Sequence, residues 1–215
     1  MIPIVMSHLT ILKKNEVYLQ IESEPHVFYE LSDQFTFELP GAKFMPQSRH
    51  RYWDGKIRLF YVNNGQIYVG LLDKIQKFCE DHEYSYSFVD NEYYGTPFEI
   101  NEHISFEGVK DYITSISKYA PREYQIEGVF DALRHNRRLL ISPTASGKSL
   151  MIYSIVRYYV ERGENTLIVV PTTSLVEQMY KDFADYGWDV GSFCHKIYAG
   201  KERETDSQVI ITTWQ

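Results

Sequence analysis

The run Ser142-Pro143-Thr144-Ala145-Ser146-Gly147-Lys148-Ser149 carries the residue types that grip a polyphosphate. The phosphate-loop pattern is G-x-x-x-x-G-K-[ST]. Gly147, Lys148 and Ser149 match it, and Ser142 stands at the position of the first glycine. A tight turn at a helix N-terminus aims successive backbone N–H groups at phosphate oxygens, where the helix dipole favours negative charge. Thr144, Ala145 and Ser146 would line that turn, and Gly147 would let the backbone approach closely. Lys148 would reach the β- and γ-phosphates of ATP as a point charge, and the Ser149 hydroxyl would ligate Mg²⁺. Lys148 and Ser149 are therefore the expected catalytic pair, with Ser149 the metal ligand. Ser142 has to fit its position without positive φ. A Gly-Lys-Ser tripeptide alone is weak evidence, but a strand before it (138–142) and a helix after it (147–161) supply the context the chemistry needs.

A second constellation mixes cations with planar rings: Arg49-His50-Arg51-Tyr52-Trp53-Asp54-Gly55-Lys56-Ile57-Arg58. Cations neutralise phosphates and rings stack on unpaired bases. Arg49, Arg51, Trp53, Lys56 and Arg58 are accordingly expected to contact DNA, at a tip suited to a fork or junction. The competing reading makes Trp53 and Tyr52 core and the arginines a solvated face. A further basic cluster, Arg134, Arg137 and Arg138 with His135, reads mainly as a solvated helix end favoured by the dipole.

The charge balance permits this. Lys and Arg number 22 against 29 Asp and Glu, a net charge of −7. That excludes a blanket nucleic-acid coat. From Lys43 to Arg58, however, five cations face one acid, Asp54. Contacts are thus confined to a directed surface. At 44% hydrophobic and 24% charged residues, the chain is not disordered. The longest apolar runs fall far below the roughly 20 residues of a membrane span. Ile2–Met6 is too short and lacks the basic flank of a secretory signal. Cys79 and Cys194 stand too far apart in sequence for a metal motif and read as two reduced cytosolic thiols.

The elements that position these residues fall into two styles. Leu9–Ile21 alternates around Lys13-Lys14-Asn15 as a hairpin. A helix is expected over Pro25–Phe35, with proline in its first turn. Strands over Lys56–Val62 and Gln66–Leu71 flank Asn63-Asn64-Gly65, a strong hairpin turn. An apolar stripe through Leu72, Ile75, Phe78 and Cys79 marks a helix, and Tyr84–Val89 a returning strand. This α+β accessory unit, residues 1–95, is followed by a linker at 96–104. Residues 105–215 alternate helices (105–116, 122–135, 147–161, 174–186) with short apolar strands (138–142, 166–170, 193–198, 208–212). Such strands signal a parallel sheet buried on both faces. The expected fold class is α/β, a phosphate-loop domain with a parallel sheet behind a small α+β domain.

Three further motifs flank the phosphate loop: Tyr119-Ala-Pro-Arg122-Glu-Tyr124-Gln125, Val169-Val-Pro171-Thr172-Thr173-Ser-Leu175-Val-Glu-Gln178, and Ile211-Thr212-Thr213-Trp214-Gln215. In this order they resemble the motif series of superfamily-two helicases, and within it the phage recombination and repair helicases, a resemblance that implies a partial RecA-like domain over 105–215. Arg51-Tyr-Trp53-Asp54-Gly55-Lys56-Ile-Arg58-Leu resembles the small N-terminal domain of that family. The resemblance implies that Gln125 bonds the adenine edge, that Arg122 sits near the nucleotide and that Tyr119 stacks nearby. It further implies that Thr172, Thr173 and Thr213 hold nucleic-acid phosphates. Helix capping by the Pro-Thr-Thr turn is a compatible role. Pro-Thr-Thr-Ser-Leu and Arg-Glu-Tyr-Gln weigh against a phosphate-loop kinase.

Helicases of this superfamily carry a D-E-x-H or D-E-A-D box beyond these motifs, and no Asp-Glu pair occurs in the sequence. The chain is therefore expected to be the N-terminal piece of an ATP-dependent helicase for branched DNA or R-loops, binding nucleotide and DNA without hydrolysing ATP alone. Its setting would be recombination, replication and repair. The rival is a stand-alone DNA-binding module with a vestigial nucleotide site. DNA, branched or single-stranded, with RNA in R-loops, is the expected partner of a monomeric phage protein in the host cytoplasm, away from membranes.

Overall fold

The computed structural model describes residues 7–49, 52–97 and 100–214. The Ile2–Met6 stretch, Arg51, the side chain of Arg49 and Gln215 lie outside the described residues. The chain divides into two units, Met1–Glu99 and Ile100–Gln215.

In the first unit, β1 (His8–Lys13) and β2 (Tyr18–Glu22) form the antiparallel hairpin that the alternation predicts. Asn15 Oδ1 ties its turn by accepting from the N–H groups of Val17 and Tyr18, each at 2.8 Å. The inward residues Leu9, Ile11, Leu19 and Ile21 are fully or almost fully buried. Next come α1 (Pro25–Gln34), β3 (Thr36–Glu38), a 3₁₀ turn (Ala42–Phe44), α2 (Pro46–Arg49), β4 (Lys56–Arg58), β5 (Phe60–Tyr61), β6 (Gln66–Tyr68), α3 (Leu72–Asp81) and β7 (Ser85–Val89). The five-stranded sheet runs β5-β6-β2-β1-β7, with β7 parallel to β1. Its buried face packs on Val27 and Leu31 of α1 and on Ile75, Phe78 and Cys79 of α3.

Lys56–Val62 is not one strand, contrary to the sequence reading. β4 pairs back with β3, while β5 pairs with β6. The cause lies in the alternation. A continuous strand would put Lys56, Arg58 and Phe60 on one face. Phe60 is 1% exposed, packed edge-on against Phe28, whereas Lys56 and Arg58 face water. The chain breaks at Leu59, whose N–H donates to Phe35 O at 2.9 Å. The following turn needs its glycine. Gly65 has φ 65°, and a Cβ there would stand 2.4 Å from Ile21 O.

The second unit contains α4 (Phe106–Ile116), α5 (Glu123–His135), α6 (Lys148–Val160), β8 (Thr166–Val170), α7 (Thr173–Asp185), α8 (Val190–Phe193), β9 (Cys194–Ile197) and β10 (Val209–Thr213). β10 is central and parallel to both β8 and β9. The core joins Ile168, Val170, Val209 and Ile211 to Val176, Met179 and Phe183 of α7 and to Tyr153 and Val156 of α6.

Two expectations change here. Arg138–Ser142 is not a strand and has no ladder partner among the described residues, and Leu139 and Ile141 are exposed. Apolar alternation favours an extended chain, but a neighbouring strand is needed to satisfy its backbone. Nor is the sheet covered on both faces. α4 and α5 gather with Met151 and Tyr158 of α6 into a separate cluster. Leu167 and Val169 of β8 remain more than half exposed. Among the described residues no helix is long and apolar enough to cross a membrane.

Both thiols are buried, and burial pushes Cys79 up to about 11 and Cys194 up to about 12. Iodoacetamide at pH 8 is expected to leave both unmodified in the native chain and to alkylate both in urea. Native-state labelling counted by mass spectrometry would contradict this burial. Gly65→Ala is expected to lower the unfolding free energy by more than about 1 kcal/mol, read as a lower urea midpoint.

Candidate functional site

The phosphate loop is built around one carbonyl, that of Ser146. Gln125 Nε2 donates to it at 2.8 Å and the Tyr124 hydroxyl at 2.6 Å. Both donors stand in the first turn of α5. Gln125 Oε1 accepts from the Arg122 N–H at 2.9 Å, the reach-back half of a capping box. The Arg122 guanidinium donates to the Tyr124 hydroxyl at 3.2 Å. Gln125 is 6% exposed, so this amide is part of the scaffold.

The loop backbone bends through Ala145 at φ 62° and Gly147 at φ 78°, the latter the N-cap of α6. Left-handed residues at such a turn form the concave run of N–H groups that anions occupy. A Cβ on Gly147 would lie 2.2 Å from Gln125 Nε2. Glycine is required because the clamp crowds the backbone there. Ser142 Oγ donates to Ser146 Oγ at 2.5 Å, so Ser142 fastens the loop at the position where the general pattern has glycine. Lys148 Nζ donates to the carbonyls of Ser142 and Pro143. A cavity of about 490 Å³ opens between Arg122 and Tyr124 on one side and Ser142 to Ser146 on the other.

Thr144, Ala145, Ser146 and Arg122 thus line one cavity, while Gln125 braces it from behind. Tyr119 is not among the cavity residues. It rests edge-on on Tyr186 with ring centres 5.9 Å apart. Burial pushes the Tyr186 phenol up, and the nearby Ser149 side chain, in the first turn of α6, acts against that shift. Tyr124 and Tyr186 were missed from sequence. Tyr124 had a signal in its place beside Gln125, whereas Tyr186 arrives only through packing on Tyr153. Among the described residues no group of three His, Cys, Asp or Glu is placed to hold a metal. A Mg²⁺ ion here would need Ser149 together with phosphate oxygens.

The threonines meet at one end of the sheet. Thr172 caps α7, its side chain accepting from the Leu175 N–H at 3.3 Å, and Thr173 begins that helix, exposed. Thr213 pairs with Val170 at the end of the β10–β8 ladder, so it stands beside the Pro171-Thr172-Thr173 turn. Ligands of open α/β sheets bind at these carboxyl ends.

In the first unit, Trp53, Lys56 and Arg58 converge on one loop. Trp53 Nε1 donates to Lys56 O at 2.9 Å. The Arg58 guanidinium bridges both carboxylate oxygens of Asp54 and holds that acid down to about 2. The Arg58 charge is thereby balanced within the loop. In the second unit, Arg138 and His135 both bond Asp131 at 2.9 Å, and Arg134 donates to Ile104 O, so these side chains are engaged within the unit.

A stapled phosphate loop opening α6, a parallel sheet with threonines at its carboxyl end, and an α+β unit earlier in the chain together make the arrangement of a superfamily-two helicase. Comparison agrees. The family described as DNA helicase UvsW, N-terminal, matches residues 9–90, and the type III restriction enzyme res subunit family matches residues 118–215. The chain is 34% identical over 209 residues to the ATP-dependent DNA helicase UvsW of Enterobacteria phage T4, across 92% of this chain and 40% of that protein. Two crystal structures of the T4 helicase superimpose on 96% of the chain at 32% identity and a TM-score of 0.83, covering 75% and 43% of the solved chains. The chain belongs to the UvsW family of helicases and spans about 40% of the length of the curated relative it matches.

Gly147→Ala places a side chain in the left-handed region, at a strain of about 1–3 kcal/mol, and against the Gln125 amide. Affinity for a fluorescent ATP analogue is expected to fall about tenfold or more, with the far-ultraviolet dichroism unchanged. An unaltered affinity would remove the clamp from the binding argument.

Proposed function

We propose that the chain is the nucleotide-binding and DNA-engaging part of an ATP-dependent superfamily-two DNA helicase that acts on branched DNA or R-loops in recombination, replication and repair. The observation that carries this reading is the Ser146 clamp, which couples the Arg122–Gln125 helix start to a phosphate loop. It stands in a unit whose Thr172, Thr173 and Thr213 share one sheet end.

ATP would lie in the cavity with its phosphates on the N–H groups of 144–149. Lys148 would exchange its bonds to the Ser142 and Pro143 carbonyls for phosphate oxygens, and Arg122 would lie alongside. Bound Mg²⁺ would neutralise phosphate charge, and Ser149 would supply it with a hydroxyl ligand. Gln125 holds Ser146 with one N–H. An amide has two, so the second would remain for the adenine edge. Tyr119 would contribute next to Tyr186 rather than from the cavity wall. Thr172, Thr173 and Thr213 would bind backbone phosphates, supported by the α7 N-terminus. The basic loop at Arg49, Arg51, Trp53, Lys56 and Arg58 would contact the branched DNA, or RNA in an R-loop. A monomer in the cytoplasm of a phage-infected host fits this role. The rival stand-alone module is not favoured, because similarity to the helicase runs through both units.

Hydrolysis needs an acid pair to hold the metal through water and position the attacking water, and no Asp-Glu dipeptide in that order occurs here, the adjacent Glu80-Asp81 closing α3 of the first unit. The chain alone is expected to bind ATP weakly and branched DNA measurably, with no DNA-stimulated turnover. Appreciable DNA-stimulated phosphate release from this chain alone would overturn that expectation. Arg51→Glu with Lys56→Glu is expected to lower both the affinity for branched DNA and the steepness of its salt dependence. If neither falls, the basic loop is not the contact.

A further inference from the structure

The loop between α1 and β5 is more than a basic tip. β3 and β4 form a two-stranded ladder of their own, outside the five-stranded sheet, with Phe37 directly opposite Ile57. Polar bonds fix this arm: Leu39 N–H to Gly55 O at 2.9 Å, Trp53 Nε1 to Lys56 O, and the Asp54–Arg58 pair. Its apolar side chains are turned outward instead. Phe37 is 52% exposed, Phe44 66% and Ile57 42%, and none belongs to the unit's core. Cross-strand partners share a face, so Phe37 and Ile57 make one apolar surface. Lys43 Nζ lies 5.2 Å from the Phe44 ring centre.

Residues 36–58 hold five cations against two carboxylates, Glu38 and Asp54, in a chain of net charge −7. A partner must therefore present negative charge and flat apolar faces together. Paired duplex DNA offers phosphates but keeps its base faces stacked. An unpaired strand offers both.

We propose that the exposed apolar residues Phe37, Phe44 and Ile57 of this arm contact unpaired bases and give the accessory unit its preference for the unpaired arms of a branch over continuous duplex. The inference rests on the reading of this loop as a DNA contact. In this division of labour, Lys43 and Lys56 supply sequence-independent attraction to phosphate, and the apolar surface supplies discrimination between open and closed strands.

The test uses the full 215-residue chain, a labelled splayed fork and a duplex of equal phosphate number, titrated over a range of salt. Phe37→Ser with Ile57→Thr, and separately Phe44→Ser, are expected to cut the fork-over-duplex affinity ratio by about tenfold while leaving the salt slope unchanged. Lys43→Gln with Lys56→Gln is expected to flatten the slope on single strands by about 1.4 and to leave the ratio unchanged. Asp54→Asn, which frees the Arg58 charge, is expected to steepen the slope. If the lysine variant leaves the slope unaltered, the DNA-contact reading fails and the inference fails with it. If the lysines act as expected but the apolar variants keep the ratio, only the inference is overturned. Self-association of the wild-type chain that the apolar variants abolish would assign the surface to a second copy and also overturn it. An unchanged urea transition shows that the variants are folded.

Discussion

The phosphate loop of the second unit depends on two hydrogen bonds to a single acceptor. The Ser146 carbonyl takes one from the Tyr124 hydroxyl and one from the Gln125 amide, and both donors rise from the first turn of α5. That turn is fixed in its own right because Gln125 also caps it. A phosphate loop has few side chains with which to hold its shape. Here its curvature is set from outside, by a helix that precedes it in the chain. Gly147 follows from the same contact, since the amide that fixes Ser146 leaves no room for a Cβ one residue on. The glycine that the phosphate-loop pattern requires is thus a packing consequence in its own right.

Much of this could be read from residue order. The Leu9–Ile21 hairpin, the proline-started α1, the Asn63-Asn64-Gly65 turn and the central parallel strand follow from periods and turn chemistry local to each segment. The phosphate loop was readable because Gly147, Lys148 and Ser149 are adjacent. What escaped was set by distant partners. The split of Lys56–Val62 depends on Phe60 being needed beneath Phe28. The unpaired course of 138–142 depends on which strands lie beside it, which no property of Leu139 to Ile141 encodes. Tyr186, at the end of α7, comes near the start of the motif helix only because α7 packs on Tyr153 of α6.

The two units answer the low overall charge differently. On the function proposed above, anion recognition in the motor unit would fall to backbone N–H groups at two helix starts, α6 and α7, with Lys148 the one cation in the phosphate-loop motif. In the accessory unit it would fall to side-chain cations, one of which is already balanced by Asp54. Backbone donors carry no net charge and cannot titrate, so the motor unit would hold phosphates without a basic surface. Net charge is accordingly a poor guide to either proposed contact.

The topology of the first unit also bears on how the protein is made. β1 is paired on one edge by β2, which follows at once, and on the other by β7, whose residues lie about 77 positions later. At roughly 5–20 residues per second, the opening hairpin leaves the ribosome seconds before its parallel neighbour is synthesised. During that interval one edge of β1 is an open template for any other extended chain. The accessory unit therefore closes late relative to its own N-terminus, while the motor sequence is still being translated. A nascent-chain chaperone would be needed most in that window.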